Sequence, residues 1–198
     1  MEKLLQTYGL TKQFGKHKAV NHVDIHVNRG SIYGFIGRNG AGKTTFLRMV
    51  CGLASPTEGE IELFGCRGKQ LQEIRSRIGC LIEGPGLYGN MTAEENLKIK
   101  CKFCGIKKTG YINELLEIVG LADVGRKKTK RFSLGMRQRL GIAMALVGEP
   151  DFLVLDEPIN GLDPQGIAEV RDTILRLNHE RIMTIMISSH ILEELSKI

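Results

Sequence analysis

Residues 37–44, GRNGAGKT, constrain the fold of this 198-residue chain more than any other stretch. They match the pattern G-x-x-x-x-G-K-[ST] and lie between a short apolar run, SIYGFIG, and a segment with helical character. In that context the glycines allow successive backbone N–H groups to converge on phosphate oxygens, and the dipole of the following helix adds positive potential. The sequence therefore predicts a phosphate-binding loop between a buried strand and a helix.

The polar residues of this loop have predicted roles in nucleotide chemistry. Lys43 supplies a compact positive charge for the β- and γ-phosphates of a nucleotide, and Thr44 offers its hydroxyl to Mg²⁺. The alternative, a glycine-rich turn that binds nothing, is disfavoured because the motif and its context agree. The predicted nucleotide-binding residues of the loop are Gly37, Arg38, Asn39, Gly40, Ala41, Gly42, Lys43, Thr44 and Thr45.

The run FLVLDEP places two carboxylates, Asp156 and Glu157, directly after four apolar residues that are typical of a buried strand. Ligands of α/β sheets bind at the C-terminal ends of the strands. We therefore predict that Asp156 binds Mg²⁺, directly or through water, and that Glu157 polarises the water that attacks the nucleotide. Adjacent carboxylates repel each other, and a bound cation would relieve that repulsion.

Apolar runs alternate with helical patterns along the chain. The runs at 31–37, 151–156 and 182–188 are typical of strands buried on both faces, and helices are predicted from Lys43 and from Asp163. This order predicts an α/β fold with a mostly parallel sheet. The phosphate-binding loop within it predicts a P-loop NTPase.

Two further regions complete the predicted architecture. The alternating run VDIHV favours a strand near the N-terminus, where we expect an antiparallel β-subdomain. Residues 85–130 carry only helix signals, including a capping box at Thr92 and Glu95, and predict a helical subdomain inserted between core segments 1–84 and 131–198. The later run GMRQRLGIAMALVG predicts a helix whose buried stripe is Leu140, Ala143, Met144 and Val147.

Composition narrows the cellular setting. The longest apolar runs, GIAMALV and IMTIMI, fall far short of the roughly 18 residues of a membrane span, and the N-terminus lacks an apolar signal core. We therefore expect a cytosolic protein.

Five irregularly spaced cysteines give no disulfide framework. Cys101 and Cys104 form a C-x-x-C pair that suits zinc or redox chemistry, but no second pair follows at ligand spacing, so two reduced thiols are favoured.

The chain has a net charge of +6, and two basic clusters stand out at residues 98–108 and 126–131. Such clusters attract the phosphates of nucleic acids. However, the chain has no tryptophan, and few aromatic residues lie among these lysines to stack on bases. We therefore predict no nucleic-acid partner, and favour a solvated face or one near an anionic membrane surface.

Several further motifs resemble those of the ATP-binding subunits of ATP-binding cassette (ABC) transporters. In RFSLGMRQRLG, Ser133 and Gly135 match the signature motif of that family, usually LSGGQ. INGLDP resembles its D-loop, His190 in ISSHILEEL resembles its switch histidine, and Phe14 in LTKQFG resembles the aromatic residue that stacks on adenine. The motifs occur in the family's order, and the resemblance runs from about residue 4 to residue 195.

The resemblance implies an ATPase that works as a head-to-tail dimer. Each ATP would lie on the phosphate loop of one subunit and under Ser133 and Gly135 of a second, most simply an identical one. Glu157, His190 and Lys43 would be the catalytic residues, and separate transmembrane permease subunits would hold the protein at the cytoplasmic face of the membrane. The alternatives are a soluble ABC-type ATPase of DNA repair or translation, and a module that binds ATP without turnover.

Three departures from the family pattern qualify this expectation. Leu134 stands where the signature motif usually has glycine, and Glu83 stands at the position of the Q-loop glutamine, where its carboxylate could reach Mg²⁺. LIEGPGLYGNMTAEENL together with FSLGM resembles the branch that exports or confers resistance to peptide antibiotics of the bacitracin and lantibiotic type. Family members usually continue past the switch histidine, so we expect their C-terminal strands to be absent and a sheet edge to be exposed.

Overall fold

The structure of the chain, a computed structural model, describes residues 2–195. Residue 1 and residues 196–198, the ends of the predicted core, lie outside the described residues. The strands are β1 (Lys3–Phe14), β2 (His17–Val23), β3 (His26–Asn28), β4 (Ile32–Ile36), β5 (Glu58–Leu63), β6 (Cys66–Arg67), β7 (Ile78–Leu81), β8 (Phe152–Asp156) and β9 (Thr184–Ser189). The α-helices are α1 (Lys43–Val50), α2 (Leu71–Ile74), α3 (Ala93–Phe103), α4 (Tyr111–Ile118), α5 (Leu134–Ala145), α6 (Pro164–Arg181) and α7 (Leu192–Leu195).

An antiparallel sheet forms the N-terminal part, as predicted. Its strand order is β2-β1-β5-β6, and β3 also pairs with β1. The single strand predicted for VDIHV is wrong, because the chain leaves the ladder between β2 and β3. There the Thr7 hydroxyl donates to the Val23 carbonyl at 2.9 Å and accepts from the Ile25 N–H at 3.0 Å, while the Thr7 N–H donates to the Ile25 carbonyl at 3.0 Å, so a side chain supplements the backbone pairing.

The second sheet is parallel throughout, in the order β4-β9-β8-β7, which confirms the predicted core. Strands β8 and β9 lie inside it and are buried along their whole length. The prediction that residues 31–37 form a strand buried on both faces is wrong. Among residues 2–195, β4 pairs only with β9, and Ile36 is therefore 47% exposed at the sheet edge.

The helices start where their capping residues predict. Thr92 accepts from the N–H of Glu95 at 3.1 Å while the Glu95 carboxylate accepts from the N–H of Thr92 at 2.7 Å, which completes the capping box of α3. Asp163 caps α6 with Pro164 in its first turn.

The burial of helix α5 departs from the predicted single stripe. It packs against α3, α4, α6 and β7, so Ile142 is as deeply buried as the predicted stripe residue Leu140.

Backbone hydrogen bonds join the two ends of the helical region 85–130. The N–H of Thr129 donates to the carbonyl of Met91 at 2.8 Å, and the N–H of Lys130 donates to the carbonyl of Gly89 at 2.9 Å. One continuous apolar cluster joins this region to one face of the parallel sheet, and a second cluster joins α1 and the antiparallel sheet to the other face. Within residues 2–195, no helix is both long and apolar enough to cross a membrane.

Candidate nucleotide-binding site

Three parallel strands bring the predicted catalytic residues to one edge of the sheet. The phosphate loop follows β4, Asp156 ends β8, and Ser189 ends β9 immediately before His190. The N–H of Gly37 donates to the carbonyl of Ser189 at 3.1 Å, which fixes the start of the loop against the end of β9. Residues that are distant in sequence therefore meet because parallel strands share the direction of their carboxyl ends.

The loop forms a cradle at the N-terminus of α1. Gly42 has φ 88°, and a Cβ atom there would lie 2.0 Å from the carbonyl oxygen of Ala19, so only glycine fits. The first helical hydrogen bond runs from the N–H of Phe46 to the carbonyl of Gly42, and the N–H groups before Phe46 have no intrahelical acceptor. They border a pocket of about 370 Å³ lined by His17, Ala19, Asn39, Gly40, Ala41, Gly42, Lys43, Thr44, Thr45 and Glu157.

The side chain of Lys43 is only 7% exposed, and oxygen atoms surround its ammonium group. Its Nζ donates to the carbonyl oxygens of Gly37 at 2.6 Å and Arg38 at 3.2 Å. It also lies 3.1 Å from Oε1 of Glu157. The cation is thus held at the mouth of the cradle, where a phosphate oxygen would compete with the Glu157 carboxylate for it.

Thr44 and Asp156 form the hard-oxygen group predicted for Mg²⁺. The Thr44 hydroxyl donates to Oδ2 of Asp156 at 2.7 Å. The Ser188 hydroxyl donates to the other oxygen, Oδ1, at 2.5 Å, and orients the buried carboxylate. A hydroxyl and a carboxylate oriented side by side are ligands that Mg²⁺ accepts, so these residues fit the ion.

Glu157 is held between two basic side chains. Its Oε1 faces Lys43, and its Oε2 lies 2.8 Å from Nδ1 of His190. Because an ionised carboxylate can only accept, the Nδ1–H of His190 is the donor in this contact. The backbone of Glu157 has φ 49°, and its N–H donates to the Ser188 hydroxyl at 2.9 Å. This uncommon conformation turns the carboxylate towards the loop pocket, which it lines.

A second helix N-terminus, that of α5, carries the two predicted signature residues. The exposed Ser133 caps it, and its hydroxyl accepts from the N–H of Met136 at 3.1 Å. Neither Ser133 nor Gly135 lines the pocket of the phosphate loop. Gly135 is buried against α6, where a Cβ atom would lie 3.4 Å from Cα of Gly166. Close packing of these two helices therefore covers the Cα of Gly135.

The sequence of residues 20–160 matches the ABC transporter family. The chain belongs to this family. It is 54% identical to the bacitracin transport ATP-binding protein of Bacillus licheniformis over the whole chain, and it spans 65% of the length of that relative. It is 44% identical to the lantibiotic transport ATP-binding protein of Streptococcus pyogenes, with 96% of this chain and 82% of that protein covered.

Solved structures of ABC cassettes share the fold. A crystal structure of the ADP conformation of an ATP-binding cassette of an ABC transporter superposes with a TM-score of 0.88 at 26% identity, covering 100% of this chain and 85% of that one. A dimeric cassette in a post-hydrolysis state, bound to ADP and phosphate, gives a TM-score of 0.84 at 25% identity, with coverages of 98% and 91%. These likenesses confirm the predicted P-loop NTPase fold.

The structure brings to the candidate site three residues that the sequence motifs did not single out. Ser188 binds both Asp156 and Glu157, and the signal for it was its place in the Ser-Ser-His run that ends β9. His17 and Ala19 reach the loop pocket from β2 in the antiparallel sheet. No local pattern marks these last two, since their proximity arises from packing between the sheets.

Two predicted residues lie further from this centre. Phe14 is 55% exposed at the end of β1, opposite His17 in the hairpin, with Nζ of Lys12 5.2 Å from its ring centroid. Phe14 does not line the loop pocket, whereas its hairpin partner His17 does. Glu83 follows β7 with φ 63° and pairs with Arg48 on α1. Arg48 would therefore compete with Mg²⁺ for the Glu83 carboxylate, which was predicted to lie in the metal site.

Proposed function

We propose that the chain is the ATP-binding and ATP-hydrolysing subunit of an ABC transporter. One observation carries this proposal: Lys43, the Thr44–Asp156 pair and the Glu157–His190 pair converge at one edge of the parallel sheet. That group supplies phosphate binding, metal ligands and an oriented base, the parts that phosphoryl transfer to water requires. The family and the ADP-bound cassettes of similar fold support ATP as the nucleotide.

Each side chain has a defined task in this proposal. The N–H groups of residues 39–45 and the Lys43 ammonium bind the β- and γ-phosphates. Thr44 and Asp156 hold Mg²⁺, which supplies positive charge against the phosphate oxygens. As Lys43 turns to phosphate, Oε1 of Glu157 becomes available to accept a proton from water, while His190 holds Oε2. Phe14 contributes an exposed aromatic surface for adenine.

A second cassette completes the site. Ser133 caps a helix N-terminus yet lies outside the loop pocket of its own chain. We propose that it contacts the γ-phosphate of ATP bound to a second copy, in a head-to-tail dimer. Support comes from the dimeric cassette of similar fold and from the anion affinity of helix N-termini.

The relatives suggest the wider assembly. The names of the bacitracin and lantibiotic transport proteins favour export of a peptide antibiotic or a similar amphiphile over the soluble ATPase alternative. We propose that separate permease subunits carry the substrate path and hold this chain at the cytoplasmic face of the membrane. The apolar groove lined by Leu81, Pro85, Leu87 and Met144, between β7 and the helical region, is a surface of suitable character for docking.

Turnover of ATP by the purified chain tests the central claim. Glu157→Gln should retain ATP binding and lose hydrolysis by about 10²–10⁴-fold, because it removes the proton acceptor and keeps the shape. Glu149→Gln is the matched control, since Glu149 also has positive φ but pairs with Lys108. Rapid turnover by Glu157→Gln would remove Glu157 from the mechanism, and absence of turnover in the wild-type chain with its permease would refute the proposed activity.

A further inference from the structure

Ser188 is a buried residue of β9 whose side chain contacts the end of β8. In the parallel register of the two strands it is the partner of Asp156, the last residue of β8. Its hydroxyl accepts from the N–H of Glu157 at 2.9 Å and donates to Oδ1 of Asp156 at 2.5 Å. A serine hydroxyl has one hydrogen, so the direction of both contacts is fixed. A single side chain therefore links the predicted metal ligand to the predicted base.

The backbone of Glu157 has a conformation that needs support from its surroundings. Its φ of 49° lies in the left-handed region, which is uncommon for a residue with a Cβ atom and persists only where neighbouring contacts hold it. Two hydrogen bonds do so: the N–H donates to the Ser188 hydroxyl, and the carbonyl accepts from the N–H of Asn160 at 3.2 Å. Without the hydroxyl, this N–H loses its acceptor and the backbone is free to return to a commoner conformation.

The direction of the Glu157 carboxylate depends on that backbone, because a change in φ rotates the Cα–Cβ bond. In the present conformation Oε1 lies 3.1 Å from Nζ of Lys43, and Oε2 lies 2.8 Å from Nδ1 of His190. We propose that Ser188 is a positioning residue for ATP hydrolysis, which holds the backbone of Glu157 so that its carboxylate is directed into the loop pocket. The inference rests on the function proposed above, and Ser188 itself does not line that pocket.

Two other hydroxyl residues of β9 show what a merely structural role looks like. The hydroxyl of Ser189 accepts from the N–H of Ile191 at 3.0 Å, in the turn that follows the strand. Thr184 begins β9 and is as deeply buried as Ser188, and its hydroxyl accepts from the N–H of Gly30 at 2.8 Å. Thr184 lies at the opposite end of the strand from the loop pocket, so it provides a matched control for removal of a buried hydroxyl.

Hydrogen exchange tests the contact without requiring turnover. Amide exchange is followed by NMR in the nucleotide-free and metal-free chain, for the wild type and for Ser188→Ala. We expect the Glu157 amide to exchange roughly tenfold faster in the variant, because its acceptor is lost. Glu149 is the internal reference, since it also has positive φ, 53°, but its N–H donates to the carbonyl of Leu146 at 3.0 Å. Equal exchange of the Glu157 amide in both proteins would overturn the proposal.

Steady-state kinetics and ATP binding test the positioning role. Ser188→Ala should lower kcat roughly 10–100-fold, since a small misplacement of a catalytic group has effects of this size, and should change the Kd for ATP by less than about twofold. Thr184→Val removes a hydroxyl of equal burial and keeps the side-chain shape, so kcat should stay at the wild-type value. A wild-type kcat in Ser188→Ala, or an equal loss of kcat in Thr184→Val, would contradict the assigned role.

A double-substitution cycle shows whether Ser188 acts through Glu157. In the Glu157→Gln background, which has lost the base, Ser188→Ala should lower the single-turnover rate by less than about twofold. A further loss as large as in the wild-type background would show that Ser188 acts elsewhere, and would overturn the proposal. The same cycle separates this inference from the proposed function. Equal turnover by the wild type and Glu157→Gln would refute the role of Glu157 itself, whereas slow Glu157→Gln beside fast Ser188→Ala would refute the role of Ser188 alone.

Discussion

The molecule has two helix N-termini of the kind that binds anions, and they differ in how much of a site surrounds them. At the start of α1, Lys43 is buried among carbonyl oxygens and pairs with Glu157, which in turn contacts His190. At the start of α5, the exposed Ser133 caps its own helix through the N–H of Met136. The first brings together the Lys43 ammonium group, the Thr44–Asp156 pair and the Glu157–His190 pair, whereas the second has a hydroxyl and a helix dipole.

The difference supports the proposal that the α5 end acts on a nucleotide held by another subunit. Helix dipole and free N–H groups act at both ends, so backbone physics alone does not distinguish them. The α5 end instead packs on the loop before α6: a side-chain carbon of Leu134 lies 3.5 Å from where Gly161 would carry a Cβ atom. Rigid support without neighbouring catalytic groups is what a contact to another subunit's nucleotide requires.

The largest expected effect comes from removing the charge at the α1 end. Lys43→Ala should abolish ATP binding, measured by equilibrium binding of a fluorescent ATP analogue, because Lys43 meets phosphate in the ground state. Lys18→Ala is the matched control. It removes a lysine from β2 between the pocket residues His17 and Ala19, and its side chain points to the opposite face of the sheet. Near-normal affinity in Lys43→Ala would show that the loop is not the nucleotide site.

The contrast between the two helix ends also explains what sequence could predict. The α1 end could be predicted because its residues are contiguous in the sequence, and in the structure Gly42 lies at a position that only glycine fits. Ser188 escaped notice because its link to Asp156 depends on the parallel register of β8 and β9, in which the two residues are partners. The burial of Ile142, outside the predicted stripe of α5, depends on four neighbouring elements, which helical periodicity within one segment does not encode.

A mixing experiment tests whether the α5 end serves another subunit. Lys43→Ala spoils the loop, and Ser133→Arg spoils the α5 end by bulk, so each variant alone should be inactive. In a mixed dimer, one site joins the intact loop of the Ser133→Arg chain to the intact α5 end of the Lys43→Ala chain. Mixing should restore part of the ATPase activity, and dilution should remove it again as dimers dissociate.

The alternative outcome is also informative. A site contained within one chain would show no rescue at any mixing ratio. Silence in mixtures shown to contain heterodimer would contradict a shared site unless both sites must act together. A covalently linked dimer of one wild-type half and one Lys43→Ala half tests that requirement, because it contains one intact site and one site whose loop alone is defective.

Substitution at Ser133 separates its capping role from its proposed role towards phosphate. Ser133→Ala should lower the free energy of unfolding by roughly 0.5–2 kcal/mol, measured by urea denaturation, because the Met136 N–H loses its acceptor. Ser133→Asp should preserve stability, since aspartate caps as well as serine, yet weaken ATP-driven dimerisation because its charge repels the γ-phosphate. If Ser133→Asp dimerises with ATP as the wild type does, Ser133 is only a cap.

The smallest expected effect concerns Glu83. This residue is a candidate metal ligand, but its carboxylate is already held in a salt bridge. Arg48 and Glu83 form an exposed pair, so the pair itself should contribute less than about 1 kcal/mol to stability. If Glu83 also serves Mg²⁺, Glu83→Gln should raise the Mg²⁺ concentration for half-maximal ATP turnover modestly. Arg48→Gln should lower that concentration, because it releases the carboxylate from its competitor. Titrations that superimpose for the wild type and both variants would place Glu83 outside the metal site, and would leave Thr44 and Asp156 as its protein ligands.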